Sequence, residues 1–566
     1  MVDPMLQIDL IKIYERSFRE NFELPALTDY ARPEDSKTYG DLARDIAKLH
    51  LMYQELGVNP GDKIALLGKN CSSWATVFIA TVTYGAVIVP VLHEFSADDA
   101  RNIINHSDAV LLFVSTNLYA PLDYKRMPSL KAALSLETFS LLGSRDESGD
   151  EKSESGEVAS IVNSLESVMD ERYAGGFSAD DINYASYPDD HTAEINYTSG
   201  TTGNSKGVVL SLGNLGGNVV FGIESRLHYR GSRVLNFLPL AHAYGCAFDM
   251  LVPLAVGSHI TFLDRQPTPK VLVKAFAEVK PALVLCVPLV LEKIYKRIIL
   301  PALNRRAVKV LRAIPLFKKI VYRRVCRQLT ETFGGEFEEV IVGGAALSAE
   351  VERFLKDIGF RFTVGYGMTE CAPLISYTPW REFQLGSSGR ILPGIMEVKI
   401  LEDETREGVG EIMVRGVNVM KGYYKRPDLS EEILESDGWL HTGDMGSLGE
   451  DGKTIFIKGR YKTMILGPSG QNIYPESIED RLNSHPYIAE SIVVERGGRL
   501  NAIVVPDADA LKENGVHEDL HHLTVQNAVK EVNKRMGAYE RIANVEMRDE
   551  PFEKTPKKSI KRYLYR

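Results

Sequence analysis

One loop between two apolar runs constrains this chain more than any other stretch. Residues 197–207 have the sequence YTSGTTGNSKG, which combines hydroxyl side chains, three glycines and a single lysine, Lys206. Glycines let a backbone turn tightly and bring its N–H groups close to an anion, and the lysine adds positive charge. The composition alone also fits a flexible linker. The lysine and the apolar flanks, AEINY and VVLSL, favour a cradle for a polyphosphate.

The loop lacks the spacing of a Walker A motif, which requires a glycine, four residues, and then Gly-Lys-Ser/Thr. Counted from Gly200, Ser205 stands where the second glycine is required and Gly207 where the hydroxyl is required. The loop resembles instead the phosphate loop of the adenylate-forming superfamily, which includes acyl-CoA synthetases and luciferases. The resemblance implies a catalytic role for Lys206. It also implies that ATP is bound by Thr198, Ser199, Gly200, Thr201, Thr202, Gly203 and Lys206.

Length and composition allow several domains and exclude some classes of function. The 566 residues predict three or four domain-sized units, and 44% hydrophobic with 25% charged residues is typical of a soluble globular protein. A net charge of −10 argues against a nucleic-acid binder. The five cysteines form no CxxC pair, so a disulfide framework or a zinc site is not expected. No signal peptide or membrane-spanning run is evident, and a cytoplasmic location is the expectation.

The N-terminal part of the chain alternates between two hydrophobic periodicities. Helical spacing predicts helices at 42–56 and 74–84, and short apolar runs predict strands at 63–67, 86–91 and 109–114. Strands that alternate with helices predict an α/β fold, in which helices cover a parallel sheet.

Two further motifs supply the chemistry that an ATP site needs. A strand ending in VGGAALS at 342–348 precedes the string GYGMTE at 365–370. These motifs resemble most closely the long-chain fatty acyl-CoA synthetases of bacterial type. The resemblance implies that Gly344, Ala345, Tyr366 and Gly367 contact the nucleotide, with adenine on the face of Tyr366. Thr369 and Glu370 are expected to act in catalysis, Thr369 on a phosphate oxygen and Glu370 as an oxygen ligand for Mg²⁺.

The resemblance also predicts a pocket for the acid substrate. His242 follows the run FLPLA, where a lone histidine is often a packed core residue. Related enzymes have an aromatic residue or a histidine in a turn at this point, so His242 is assigned to the acyl pocket together with Gly343 and Gly365.

A third motif, DGWLHTGD at 437–444, implies that Asp444 binds the ribose, with Arg460 reaching it as well. Lys462 is expected to be a hinge between a large N-terminal domain at 1–459 and a mobile lid at 460–566. The family usually has an acid after this lysine, whereas this chain has Thr463. Gly470 and Gln471 are assigned to a loop on the coenzyme A side.

The C-terminal tail departs from the family pattern at a catalytic position. Aligned on Ile560 and Arg562, Ser559 stands where the adenylation lysine is expected. Lys557 and Lys558 are the nearest substitutes, and the working hypothesis assigns catalysis to Lys558. The alternative is a basic, solvated tail.

The ordered motifs imply an ATP-dependent acid–thiol ligase that converts a long-chain fatty acid through an acyl-adenylate to an acyl-CoA, with ATP, Mg²⁺ and coenzyme A. An aryl or medium-chain acid, or a carrier protein as acceptor, remains an alternative. Ser559 also leaves open a non-catalytic nucleotide binder. The segment 293–327 carries lysines and arginines among apolar residues without any Asp or Glu, which fits either a solvated helical face or peripheral contact with the inner face of a membrane.

Overall fold

The computed structural model describes residues 8–145, 151–152, 156–198, 205–402, 408–466, 472–537, 540–555 and 560–565. A nine-stranded sheet lies at the centre of the N-terminal body, and its first strands β3, β4 and β5 are parallel, as predicted from the alternating pattern. Its strands are β3 Lys63–Leu67, β4 Val87–Val91, β5 Ala109–Val114, β6 Ala132–Ser135, β7 Leu141–Arg145, β8 Glu151–Lys152, β9 Thr192–Thr198, β10 Lys206–Ser211 and β21 Gly422–Tyr423.

Smaller sheets complete the body, in which one sheet of three strands is parallel throughout. That sheet consists of β13 Leu283–Cys286, β14 Glu339–Val342 and β15 Phe362–Val364. A mixed sheet consists of β1 Pro25–Asp29, β2 Arg32–Thr38, β11 Arg233–Asn236 and β12 His259–Phe262. Two antiparallel sheets follow, made of β16 Tyr366–Gly367, β17 Leu374–Tyr377 and β18 Arg390–Ile391, and of β19 Met396–Glu402, β20 Gly410–Gly416, β22 Leu440–Leu448 and β23 Ile455–Arg460.

Helices cover these sheets and begin and end at recognisable signals. The helix at Tyr39–Glu55 begins with a capping box between Thr38 and Asp41, which satisfies backbone donors of its first turn. The body helices are α1 Leu10–Glu20, α2 Tyr39–Glu55, α3 Ser72–Tyr84, α4 Ala97–His106, α5 Thr116–Tyr119, α6 Glu157–Arg172, α7 Leu212–Glu224, α8 Ala243–Cys246, α9 Val252–Val256, α10 Pro269–Val279, α11 Pro288–Ile294, α12 Leu300–Asn304, α13 Arg306–Ala313, α14 Pro315–Thr332, α15 Ala349–Ile358 and α16 Pro427–Glu431.

The C-terminal part forms a small α/β lid with a hydrophobic core of its own. Ile478, Leu482, Val504 and Val525 lie in that core, separate from the core clusters of the body. The lid elements are β24 Ile465–Leu466, β25 Asn472–Ile473, α17 Pro475–Asn483, β26 Ile488–Arg496, β27 Arg499–Pro506, α18 Ala508–Glu513, α19 His521–Asn533 and β28 Asn544–Met547. The predicted α/β class, with a large domain followed by a smaller one, is confirmed, whereas the boundary at 459/460 stays a prediction.

The crossover between β13 and β14 is unusually long for two adjacent parallel strands. It carries α11 to α14, including a turn of π-helix at Tyr295–Ile299. Within the described part of the chain, no helix is long and apolar enough to cross a membrane.

Candidate active site

The strands on either side of the phosphate loop form an antiparallel hairpin. Thr198, the last residue of β9, pairs with Lys206, the first residue of β10, and the Thr198 hydroxyl lies 3.5 Å from the Lys206 carbonyl oxygen, to which it donates. The hairpin therefore holds both ends of the loop at one edge of the central sheet. The predicted phosphate contacts at Ser199, Gly200, Thr201, Thr202 and Gly203 lie outside the described residues.

Lys206 and Glu370 contact opposite parts of a single tyrosine. The Lys206 ammonium lies 4.8 Å from the centre of the Tyr423 ring. The Tyr423 hydroxyl donates to Glu370 Oε1 at 2.8 Å. Tyr423 reaches this position because β21 pairs with β10 at the edge of the sheet, Val208 opposite Tyr423. The arrangement brings the cation of the phosphate loop and the predicted metal ligand to one tyrosine, the first at its ring and the second at its hydroxyl.

The segment that carries Glu370 is fixed by its own backbone. Thr369 and Glu370 lie in a 3₁₀ turn that follows β16, and the Met420 N–H donates to the Glu370 carbonyl oxygen at 2.9 Å. Gly367 precedes this turn, and a Cβ at its position would lie 2.2 Å from the Pro373 carbonyl oxygen, so only glycine fits there. Thr369 is half-buried, and its contact with a phosphate stays a prediction.

Tyr366, Asp444 and Arg460 come together on the other side of the same segment. The Tyr366 hydroxyl donates to Asp444 Oδ2 at 2.7 Å, and Arg460 Nε lies 3.3 Å from Asp444 Oδ1. Asp444 and Arg460 are also directly paired across β22 and β23. The sequence-based prediction placed all three residues around a nucleoside, and the structure brings them into contact.

Asp444 lies in an environment that acts on its carboxyl in opposite directions. Burial raises the pKa of Asp444, while Arg460 and the Tyr366 hydroxyl lower it and the charge of Glu370 raises it. The Thr442 hydroxyl accepts from the Asp444 N–H at 3.1 Å and donates to the Ile412 carbonyl oxygen at 2.6 Å. Thr442 thus fixes the backbone that presents the carboxyl. Tyr366, which donates to Asp444, and Glu370 lie four residues apart, so the two predicted halves of the site share one segment of the chain.

The glycines assigned to adenine and the acyl pocket lie at neighbouring ends of the parallel sheet. The Gly343 N–H donates to the Cys286 carbonyl oxygen at 3.0 Å, and the Gly365 N–H donates to the Val342 carbonyl oxygen at 2.9 Å. These bonds extend the pairing of β13, β14 and β15 by one residue at their carboxyl ends, the edge at which ligands bind in parallel α/β sheets. Gly344 and Ala345 follow, both exposed, with Gly344 at a φ of +85°.

Tyr244 joins the His242 turn to this edge of the sheet. Its hydroxyl donates to the Ile341 carbonyl oxygen at 3.0 Å, and a Cβ on Gly343 would lie 3.0 Å from its ring. His242 is half-buried at the start of α8. The structure therefore places His242 near Gly343 through Tyr244, while its contact with an acid substrate stays a prediction.

A polar network, part of it buried, holds the backbone that precedes His242 in the chain. Asn70 Oδ1 accepts from the Leu240 N–H at 3.0 Å, and Asn70 Nδ2 donates to Asn236 Oδ1 at 2.6 Å. Asn236 Nδ2 in turn donates to Asp249 Oδ2 at 3.1 Å, and burial raises the pKa of Asp249 to about 8. Asn236 and Asp249 are buried and Asn70 is half-buried, and because the three side chains bond to one another they fix the turn.

The predicted hinge lies in an exposed turn between the body and the lid. Lys462 is exposed in the 3₁₀ turn Tyr461–Thr463. The Thr463 hydroxyl, which replaces the usual acid, donates to Glu476 Oε1 of the lid at 2.5 Å. The residues predicted for the coenzyme A side, Gly470 and Gln471, and those of the tail, Lys557, Lys558 and Ser559, lie outside the described residues.

Three side chains that join the predicted residues were missed from the sequence: Tyr423, Tyr244 and Thr442. Only Thr442 lies inside a recognised motif. Tyr423 belongs to the triplet GYY at 422–424, and Tyr244 follows His242 by two residues. Aromatic residues beside a glycine were the available signal, but they carry no spacing that identifies a site.

The chain matches two described families along its length. The family described as AMP-binding enzyme matches residues 14–424, and the one described as AMP-binding enzyme C-terminal domain matches residues 463–565. Long-chain-fatty-acid–CoA ligase FadD15 of Mycobacterium bovis is 29% identical over 510 residues, which cover 84% of this chain and 78% of that protein. Long-chain-fatty-acid–CoA ligase ACSBG1 of Rattus norvegicus is 27% identical and covers 80% of this chain and 64% of its own length.

Solved structures share the fold at lower identity. The anthranilate CoA ligase AuaEII in complex with anthranoyl-AMP superposes with a TM-score of 0.76 at 18% identity, over 99% of this chain and 97% of that one. A Mycobacterium tuberculosis fatty acyl CoA synthetase superposes with a TM-score of 0.65 at 19% identity, over 98% and 97%.

Proposed function

The chain belongs to the AMP-binding enzymes, and we propose that it is an acid–CoA ligase that activates a long-chain fatty acid in two steps. The carboxylate first attacks the α-phosphate of ATP, which gives an acyl-adenylate and pyrophosphate. The thiol of coenzyme A then attacks the acyl carbon, which gives the thioester and AMP. No nucleophilic side chain is required, because both attacking groups come from the substrates.

The observation that carries this proposal is the pair of contacts on either side of the segment 366–370. Tyr366 donates to the ribose-side carboxylate Asp444, and four residues later Glu370 accepts from Tyr423, whose ring faces Lys206. The carboxylate proposed to bind the ribose and the lysine proposed to bind phosphate are therefore linked through one short segment, residues 366–370. This order of groups matches the order of ribose and phosphates in ATP.

The first step must bring two anions together, and the charged groups of the site offset their repulsion. Lys206 supplies a fixed positive charge beside the phosphate loop, which stabilises charge on the departing pyrophosphate. Holding the carboxylate and the α-phosphate in line supplies a further part of the rate. The Tyr423 hydroxyl keeps the Glu370 carboxylate oriented toward the same region.

The residues present fit a magnesium ion at this position. Glu370 offers a hard oxygen ligand, and Tyr423 donates to Oε1 alone among the bonds found to this carboxylate within the described residues. Glu370 would hold the ion together with phosphate oxygens. The ion would supply neutralisation of phosphate charge.

The similarity to long-chain-fatty-acid–CoA ligases supports a long acyl chain as substrate. A fatty acid gains about 0.8 kcal/mol for each methylene that it buries, so the depth of the pocket sets the preferred length. The pocket is expected at His242, Gly343 and Gly365. The fold is shared with an anthranilate ligase, so an aryl or medium-chain acid is the second candidate, and a carrier protein as acyl acceptor is the third.

The missing lysine at position 559 gives the non-catalytic alternative its only support. Lys558 is proposed to serve in its place, one residue earlier in the chain.

One assay tests the proposal and separates its alternatives. Purified protein is incubated with ATP, Mg²⁺ and a panel of fatty, medium-chain and aryl acids, and acid-dependent exchange of pyrophosphate into ATP is measured. Thioester formation with coenzyme A is then followed. Exchange and thioester with long-chain acids are expected. Exchange without thioester would indicate another acceptor, and no exchange with any acid would support the binder.

A further inference from the structure

The outer half of the crossover between β13 and β14 carries a concentration of exposed apolar side chains. Among the described residues, six of the eighteen exposed large apolar side chains lie within the eleven residues from 310 to 320. The most exposed are Val310 at 67% and Leu316 at 68%, and the others are Leu311, Ile314, Phe317 and Ile320. We name residues 306–324, which span α13 and the first half of α14, the basic hairpin.

The apolar side chains are exposed because a different face of these helices contacts the body. Val321, Tyr322, Val325 and Cys326 pack against the core cluster beneath α14, and Leu329 is buried there. Helix α13 has no fully buried residue and packs against the same cluster through the half-buried Val308. Leu316, Phe317 and Ile320 precede the packed part of α14, so the hairpin projects its apolar residues away from the core instead of into it.

The charge around these residues has one sign only. From Lys293 to Arg327 the sequence has twelve Lys and Arg residues and no Asp or Glu, although the whole chain has a net charge of −10. Lys309, Lys318, Lys319, Arg323 and Arg324 form no ion pair with any described carboxylate. Unpaired cations around exposed apolar side chains are a combination that a solvated helix face does not require.

We propose that the basic hairpin is a docking surface for an anionic lipid bilayer. The apolar side chains of residues 310–320 enter the headgroup boundary, and the flanking lysines and arginines contact acidic headgroups. A second copy of the chain is a poorer occupant, because a symmetric contact would bring two basic hairpins together. The hairpin lies within the connection from β13 to β14, so docking would hold the body that carries the predicted acyl pocket at the membrane surface.

Sedimentation with vesicles tests the proposal without any substrate, so its failure is independent of the proposed function. The full chain is mixed with phosphatidylcholine vesicles, with or without phosphatidylglycerol, at low and high salt. Binding is expected to the anionic vesicles and is expected to weaken at high salt, since screening acts on the basic residues. Equal binding to neutral vesicles, or none to either, would overturn the proposal.

Matched variants locate the surface. Lys318→Gln with Lys319→Gln should weaken binding about 30-fold, given the attraction of each basic residue to an anionic surface. Leu316→Ser with Phe317→Ser should weaken it by about tenfold or more. The controls change two exposed lysines and two exposed apolar residues on the lid: Lys530→Gln with Lys534→Gln, and Leu520→Ser with Leu523→Ser. If hairpin and lid variants bind alike, the hairpin is not the surface.

A second measurement guards against a variant that misfolds. Phe317→Trp should shift its fluorescence to the blue with anionic vesicles and be quenched by brominated lipids, while circular dichroism confirms the fold. No shift and no quenching would overturn insertion. Light scattering without lipid completes the test. If the hairpin substitutions change the mass of the particle but leave vesicle binding unchanged, the surface serves self-association and the proposal is overturned.

Discussion

The nucleotide side of the predicted site and the predicted hinge segment beside it are held in place by different means. In the body, Asp444 is 8% exposed and accepts a hydrogen bond from the buried Tyr366, and Glu370 accepts one from Tyr423. At the predicted hinge, the Arg460 side chain is 68% exposed and Lys462 is exposed in its turn. The body is therefore organised before substrate arrives, whereas the groups near the hinge remain free to exchange one surface for another.

The largest effect on the body side is expected from Glu370→Gln. The substitution keeps the Tyr423 hydrogen bond but removes the charge proposed to hold Mg²⁺. Fatty-acid-dependent pyrophosphate exchange should fall by about 10²–10³-fold. Exchange is measured across a series of Mg²⁺ concentrations, with thermal unfolding as the control for the fold. A nearly normal rate would remove Glu370 from the site.

An effect of similar size on the lid side would show that the lid is equally essential to the first step. Lys558→Ala should lower pyrophosphate exchange by about 10²–10³-fold if this lysine stabilises the developing charge. Lys557→Ala is the matched control and should leave exchange unchanged. An unchanged rate for Lys558→Ala would show that the one-residue shift is wrong.

Asp444 and Arg460 allow a direct comparison of a buried and an exposed partner in one ion pair. Asp444→Asn removes a charged acceptor and should raise the KM for ATP by about 10–100-fold. Arg460→Ala removes an exposed ion pair and should raise it by about fivefold at most. Steady-state kinetics at varied ATP checks both. If the two variants lose equal affinity, burial does not explain the difference between body and lid.

A smaller change is expected from Tyr423→Phe, which tests a positioning role. The ring that faces Lys206 remains, but Glu370 loses its donor, so exchange should fall by about tenfold. Because Tyr423 acts through Glu370, the loss should appear as a shift of the Mg²⁺ dependence, with more Mg²⁺ needed to reach half of the maximal rate. A lower rate with an unchanged Mg²⁺ dependence would contradict that role.

The smallest effect is expected at Asp480 in helix α17 of the lid, where Glu292 of the body acts on the carboxyl. Burial, together with the neighbouring carboxylates Glu292, Glu479 and Glu476, raises the pKa of Asp480 to about 7. A raised pKa favours the protonated form in the folded state, so its stabilisation is present at pH 4 and is lost as pH rises through about 7. Asp480→Asn should remove this loss and stabilise the lid at pH 8 by on the order of 1 kcal/mol.

Thermal unfolding at a series of pH values measures this effect, with Glu513→Gln as a control at an exposed carboxylate of the lid. One kilocalorie per mole shifts the midpoint of a 60–100-residue domain by about 4–8 °C. If Asp480→Asn and the control show the same dependence on pH as the unaltered chain, Asp480 does not determine how the stability of the lid changes with pH.

The sequence predicted the parts of the site that lie within contiguous motifs and the parallel alternation around them. The strands predicted at 63–67, 86–91 and 109–114 correspond to β3, β4 and β5. Tyr366, Asp444 and Arg460 also come together as predicted. Each of these features depends on local periodicity or on a motif long enough to be specific.

The groups that support these residues could not be predicted, because they depend on pairing between distant segments. Tyr423 reaches Glu370 only because a strand of two residues joins the edge of the central sheet beside β10. So short a strand has no periodicity to detect. Thr463 similarly meets Glu476 across a gap in the sequence, and the side chain that replaces the usual acid shows its partner only in three dimensions.

The length of the crossover between β13 and β14 has a consequence for how the protein can change. Two parallel neighbours require a connection of about a dozen residues, whereas this one occupies positions 287–338. Its outer helix α13 has no fully buried residue and touches the core through the half-buried Val308, so packing places few limits on its sequence. Changes within that helix should therefore leave the sheet and the residues at the ends of its strands undisturbed, and should alter only the surface that the helix presents.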